Sequence, residues 1–122
     1  MATTYYEILP ESCPEIDAKP ASNEKFYRLI RAKPAINGDF QSKRMKQPNA
    51  LFKDISECIL SAVSIYKQTE MDIKKLPSLK GKIPAIITLT PTDGLIKQTF
   101  TNPHYSWWRA KEFEIENSIT YI

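Results

Sequence analysis

The residues best suited to chemistry crowd into Pro103-His104-Tyr105-Ser106-Trp107-Trp108-Arg109, which holds the only histidine and both tryptophans of the chain. A histidine two residues from a serine in an aromatic wall can polarise or deprotonate a ligand, and an indole such as that of Trp107 can stack on a flat ring. The structural alternative is a pair of tryptophans closing one end of a core beside a satisfied histidine. Ser106 lies too close to His104 for a triad, and no GxSxG elbow is present. Glu112 and Glu114 share one face of an expected strand, with Glu116 continuing the row. Such a row can hold a catalytic carboxylate, or it can be the wet face of an edge strand where like charges discourage pairing. Arg28 and Arg31, three apart on another expected strand, point to opposite faces, and the buried one would hold a phosphate or carboxylate through its planar fork.

Composition limits how these groups can be used. The 122 residues fit one domain with 42% hydrophobic and 25% charged residues. Gly38, Gly81 and Gly94 are isolated, so neither a phosphate-binding P-loop nor a dinucleotide glycine fingerprint can be written. An anionic ligand must therefore be held by side chains. One histidine and two unpaired-looking cysteines leave a tetrahedral zinc site without ligands. Cys58 reads as a small buried apolar residue, and a chain of this size is expected to fold without metal or disulfide. Lacking a signal-peptide pattern and any run near ~18 apolar residues, the sequence points to the cytoplasm and away from the membrane.

The net charge of +3 divides into −4 over residues 1–24, +7 over 25–53 and 0 over the remainder. The basic block, with Lys43, Arg44 and Lys46, can attract nucleic acid, an anionic nucleotide or an acidic protein tail, or it can be a solvated face.

Positioning elements follow from pattern. Residues 1–24, with Pro10, Pro14 and Pro20, read as an extended arm, and 25–122 as a single α+β domain. A first strand is expected over 26–31, and Asn37-Gly38-Asp39 supplies a turn. Leu51, Phe52, Ile55, Cys58, Ile59 and Ala62 mark one apolar face of the main helix, running into a strand over 62–66. A short helix is expected over 70–76. Pro91-Thr92-Asp93-Gly94 turns a hairpin between 82 and 100, and the tail carrying Phe113 and Ile115 reads as a last, half-exposed strand. The sum is a mainly antiparallel sheet of about five strands with one main and one short helix.

Tyr27-Arg28 on an early strand, a helix leading into Ser61-Ala62-Val63-Ser64-Ile65-Tyr66, and a later aromatic strand with a carboxylate resemble the layout of ADP-ribosyltransferase-like, NAD-degrading toxin domains. Phe26-Tyr27-Arg28-Leu29, the Ser-Val/Ile-aromatic step and His104-Tyr105-Ser106-Trp107-Trp108 are also similar to small bacterial proteins with a YR…SVF…HHTWW pattern. The resemblance implies that Arg28 binds dinucleotide phosphates, Ser64 and Tyr66 line a nicotinamide pocket, Glu112 or Glu114 supports glycosidic cleavage of NAD, and His104 and Trp107 border the pocket. Beside this stand two other expectations. One is a non-catalytic interaction module docking a protein partner through the acidic arm or the basic block, and the other is nucleic-acid binding through Lys43, Arg44 and Lys46.

Overall fold

A computed structural model describes residues 4–70, 82–101 and 103–122. Seven strands run in chain order: β1 (Lys19–Pro20), β2 (Glu24–Ile30), β3 (Val63–Lys67), β4 (Ile83–Leu89), β5 (Gly94–Gln98), β6 (His104–Arg109) and β7 (Ile119–Tyr121). They form one antiparallel sheet in the order β1-β5-β6-β3-β2-β4-β7. Three single-turn helices accompany it: α1 (Lys43–Lys46), α2 (Glu57–Leu60) and α3 (Ile115–Ser118). None of them is long and apolar enough to cross a membrane.

This architecture corrects the expected five-stranded sheet with a main helix. Leu51, the first residue of the supposed apolar helical face, is 97% exposed, and Phe52 instead lies under Lys43 and Arg44, whose charged groups are 4.7 and 5.4 Å from its ring centre. Asp54 adopts φ 62°, which no right-handed helix passes through, and Ser56 then caps α2 by accepting from the Ile59 amide at 3.2 Å. A helix gains most of its stability from packing one face, and here that face is broken: Leu51 is exposed and the positive φ of Asp54 interrupts the run before α2. The expected helix over 70–76 lies, apart from its first residue, outside the described residues.

The hairpin between 82 and 100 also resolves differently. Its two strands exist, but β4 pairs with β2 and β7 while β5 pairs with β1 and β6. Four sheet steps separate β4 from β5, about 19 Å if the sheet were flat, whereas the five links from Leu89 to Gly94 reach at most about 18 Å. The sheet is therefore rolled. Its inner face carries Phe26, Ile30, Val63, Ile65, Ala85, Ile87, Leu89, Ile96 and Trp107, joined by Phe40 and Phe113 from the connections. The tail expected as a strand is α3, and the aromatic run preceding it is the strand β6, buried from Ser106 to Arg109.

Residues 4–18 are irregular, with turns at 11–12 and 16–17, and belong to the fold. The Tyr6 amide donates to the Arg109 carbonyl at 3.0 Å, the Lys111 amide to the Thr4 carbonyl at 2.8 Å, and Tyr5 bridges Ala110. Cys13 is bonded to Cys58, which corrects the reading of Cys58 as a small buried apolar residue. The Cys58 carbonyl receives the Trp108 indole N–H at 2.9 Å, so the bridge anchors the N-terminal segment and α2 on the outer face of β6.

Candidate functional site

Where β2 and β3 part after the Tyr27–Tyr66 pair, α1 and the Asn37–Phe40 turn close over the opening and leave a cavity of about 370 Å³. It is lined by Arg28, Leu29, Gln41, Lys43, Lys46, Gln47, Ser64, Tyr66 and Lys82. Four of these nine residues are basic, and no carboxylate among the described residues joins them.

Arg28 is the fixed element. Its Nε donates to the Asp39 carbonyl at 2.7 Å and Nη1 to the Ser64 carbonyl at 2.9 Å, which locks the guanidinium and takes up a β3 carbonyl left without a strand partner. Burial lowers its pKa to about 10, opposed by Asp39 and Tyr66, so it stays charged at neutral pH. Asp39 is itself held, 2% exposed, by the Arg31 amide at 3.0 Å and the Ile36 amide at 2.9 Å. The turn chemistry of Asn37-Gly38-Asp39 thus presents the carbonyl that positions Arg28.

Lys43 and Lys46 reach the cavity from α1. That single turn is built by Ser42, which accepts from the Met45 amide at 3.1 Å while its own amide donates to Glu7 at 2.7 Å. Lys46 is exposed, and burial of its amine first, then repulsion from Arg28, Lys82 and Arg31 with Asp39 opposing, lowers its pKa from 10.5 to about 8. Arg44 turns away. It pairs with Glu57 through Nε at 3.1 Å and Nη2 at 2.9 Å, and its Nη1 donates to the carbonyls of Gln47, Pro48 and Ala50. Replacing Arg44 with Ala removes those carbonyl bonds and a partly exposed ion pair, an expected loss of about 1–2 kcal/mol in urea unfolding, with the ion pair itself a small share.

Of the residues singled out in the sequence, Arg28, Ser64 and Tyr66 line this one cavity, with Lys43 and Lys46 from the basic block. Glu112 and Glu114 line a different one with Thr88, Thr90 and Asp93, Glu114 immediately preceding α3. Trp107 is fully buried; its indole N–H donates to the Asp93 carbonyl at 2.9 Å and its ring meets Phe113 edge-on at 4.7 Å, so it does not border the cavity. His104 stands behind Tyr66, ring centres 5.4 Å apart. Its Nδ1 is 2.9 Å from the Thr99 hydroxyl, which is also 2.9 Å from that of Ser106, and burial lowers its pKa. The histidine is thus a backing group for Tyr66 rather than a wall of the cavity.

Sequence reasoning missed Lys82, Gln41 and Gln47. Lys82 precedes β4 by one residue, and its place opposite α1 follows from the β2–β4 register, which no local pattern announces. Arg109, named in the aromatic cluster but given no role there, is 6% exposed with its guanidinium 3.9 Å from the Tyr6 ring centre, Nη2 donating to Asn37 at 2.7 Å and Nε without a partner among the described residues. Comparison with known proteins returns no match among family models, curated proteins or solved structures.

Proposed function

We propose that this chain is a binding module for a small ligand bearing phosphate or carboxylate, taken up in the cavity between α1, β2 and β3. The observation that carries this reading is a rigid guanidinium and three lysines, Lys43, Lys46 and Lys82, lining one cavity that no carboxylate among the described residues lines. Like charges held together are costly, and a bound anion relieves that cost while accepting charge-assisted hydrogen bonds. The cavity volume suits a ligand of metabolite size. This reading departs from the expected protein-docking module, since the partner it takes is a small anion rather than a protein.

Glycosidic cleavage of NAD finds less support. Arg28, Ser64 and Tyr66 are together, but Glu112 and Glu114 line another cavity, and no carboxylate among the described residues lines the one that holds Arg28. The nucleic-acid reading loses Arg44 to Glu57 and its carbonyls, although Lys43 and Lys46 remain. The Cys13–Cys58 bond favours an oxidising compartment over the expected cytoplasm, because thiols of cytosolic proteins are kept reduced.

Isothermal titration with inorganic pyrophosphate tests the reading. Binding is expected near neutral pH, and Lys46→Met is expected to weaken it by about ten-fold, the loss of one hydrogen bond to a charged group. A protonated Lys46 supplies that bond, so the difference between wild type and variant is expected to shrink as pH rises through about 8, where the amine discharges. No heat of binding at any of these pH values, or the same affinity for Lys46→Met, overturns the assignment.

A further inference from the structure

We propose that Lys46 is a carbonyl-reactive amine and that the cavity takes an anionic aldehyde or ketone, an oxo acid or a sugar phosphate, as an imine on Lys46 Nζ. This inference rests on the anion-site reading and adds a covalent step to it. Imine formation needs an uncharged amine, a fixed cation that holds the ligand's anionic end away from that amine, and a hydroxyl near the carbonyl oxygen.

All three occur around Lys46. Arg28 is immobilised by its two carbonyl acceptors, at 2.7 and 2.9 Å, and Lys82 lies on the same cavity wall. Ser64 and Tyr66, each bearing a hydroxyl, line the same cavity. The charged groups that act on Lys46 are Arg28, Lys82, Arg31 and Asp39, and the Asp39 carboxylate is already occupied by the Arg31 and Ile36 amides. Among the described residues no ion pair engages Lys46. With its pKa lowered to about 8 by burial and neighbouring cations, an appreciable fraction of the amine is uncharged near neutral pH, the device by which a lysine beside another cation becomes a nucleophile. Lys43, the other α1 lysine of the cavity, is instead held over the Phe52 ring at 4.7 Å.

The step balances without a redox partner. The Nζ lone pair attacks the carbonyl carbon, the C=O π pair moves to oxygen, and proton transfer from nitrogen to oxygen gives a carbinolamine. Its hydroxyl leaves as water, taking up a proton that Tyr66 or Ser64 can relay, while the nitrogen lone pair forms C=N and the remaining N–H proton is released if the imine is neutral. One carbonyl and one amine give one imine and one water.

Reductive trapping decides the matter. The intact protein is incubated near neutral pH with pyridoxal 5′-phosphate, with pyridoxal, or with glyoxylate, each with cyanoborohydride, which reduces any imine to a stable secondary amine, and labelled lysines are located by peptide mass spectrometry. With an anionic probe, Lys46 is expected to be labelled about ten-fold faster than Lys25, Lys53 and Lys111, which lie outside the cavity, because the cavity's cations hold the probe's anionic end and a larger share of the Lys46 amine is uncharged. Pyridoxal, lacking the phosphate, should lower that ratio to a few-fold or less, and added pyrophosphate should suppress it. Selectivity with glyoxylate alone identifies a carboxylate ligand, and selectivity with pyridoxal 5′-phosphate alone identifies a phosphate. Even labelling across the lysines, preferential labelling of Lys43 or Lys82, or a Lys46 preference unchanged by phosphate on the probe overturns the proposal. Pyrophosphate titration of the same sample separates the two failures: bound pyrophosphate with even labelling removes only the imine, whereas neither binding nor selectivity removes the anion site as well.

Discussion

Gly94→Ala is expected to cost at least about 3 kcal/mol and to leave a protein that is largely unfolded or aggregated at ambient temperature. Gly94 opens β5 with φ 124°, a conformation in which an L side chain is strained. A Cβ built there would sit 2.1 Å from the Trp108 carbonyl oxygen and 2.8 Å from the Ala110 nitrogen, both backbone atoms of or beside β6. Neither can move cheaply, because the Ala110 amide donates to the Asp93 carbonyl at 2.9 Å and the Trp107 indole donates to the same carbonyl. The short link from β4 to β5 also sets the roll of the sheet, so relaxing Gly94 would open the whole core. Gly38→Ala is the control: its Cβ would meet only the Ile36 side chain, at 3.7 Å, and it is expected to change stability by less than about 1 kcal/mol. Urea unfolding of both variants checks the contrast, and a Gly94→Ala protein as stable as Gly38→Ala would refute the account of the sheet.

The same link shows how far a sequence can be read. Pro91 and Gly94 mark a sharp turn, and the turn exists as a 3-10 helix, with Asp93 accepting from the Thr90 amide at 2.7 Å. Which strands it joins side by side is a different question. Alternation of isoleucines in β4 states that it is a strand but not that β2 and β7 are its neighbours, and a rolled sheet places sequence-adjacent strands apart. Strand β6 is reached through the resemblance and not through its pattern: its two adjacent tryptophans occupy opposite faces, Trp107 inward and Trp108 towards α2, which blurs a period of two. Helix content was overestimated because apolar spacing over 51–62 describes a face without saying whether anything covers it.

The site was legible where chemistry is local and illegible where it depends on packing. An arginine on a strand followed by a lysine-rich turn suggested an anion, and Arg28, Lys43 and Lys46 do share a cavity. Ser64 and Tyr66 came to it because alternate residues of β3 point to one face. His104 pairs with Tyr66 across β3 and β6, yet that register puts it behind the tyrosine rather than beside the arginine. Cysteine pairing was invisible for the same reason, since nothing between positions 13 and 58 announces that their Cα atoms come within 5.5 Å.

Reduction of that bond is expected to produce the second large effect, a loss of about 4 kcal/mol for a crosslink spanning 45 residues, on the chain-entropy account. Against the ~5–15 kcal/mol by which domains are stable, such a loss leaves little margin. Cys13 fixes a segment whose other attachments are few: Tyr6 and Thr4 on the far end of β6, Glu7 on Ser42, and Glu15 and Asp17 on Lys97. Without the bridge the Glu7–Ser42 contact is the main one left between this segment and α1, the turn that carries Lys43 and Lys46, so weakening of the N-terminal segment is transmitted to the cavity. A Cys13→Ser/Cys58→Ser variant should therefore unfold at lower urea concentration than the oxidised protein, and reductant should shift wild type to match it while leaving the variant unchanged. Anion affinity should fall in the same order, reduced wild type and variant together. Equal stability of oxidised and reduced protein would mean that the N-terminal segment is held by its hydrogen bonds and ion pairs without help from the bridge, and would refute this account.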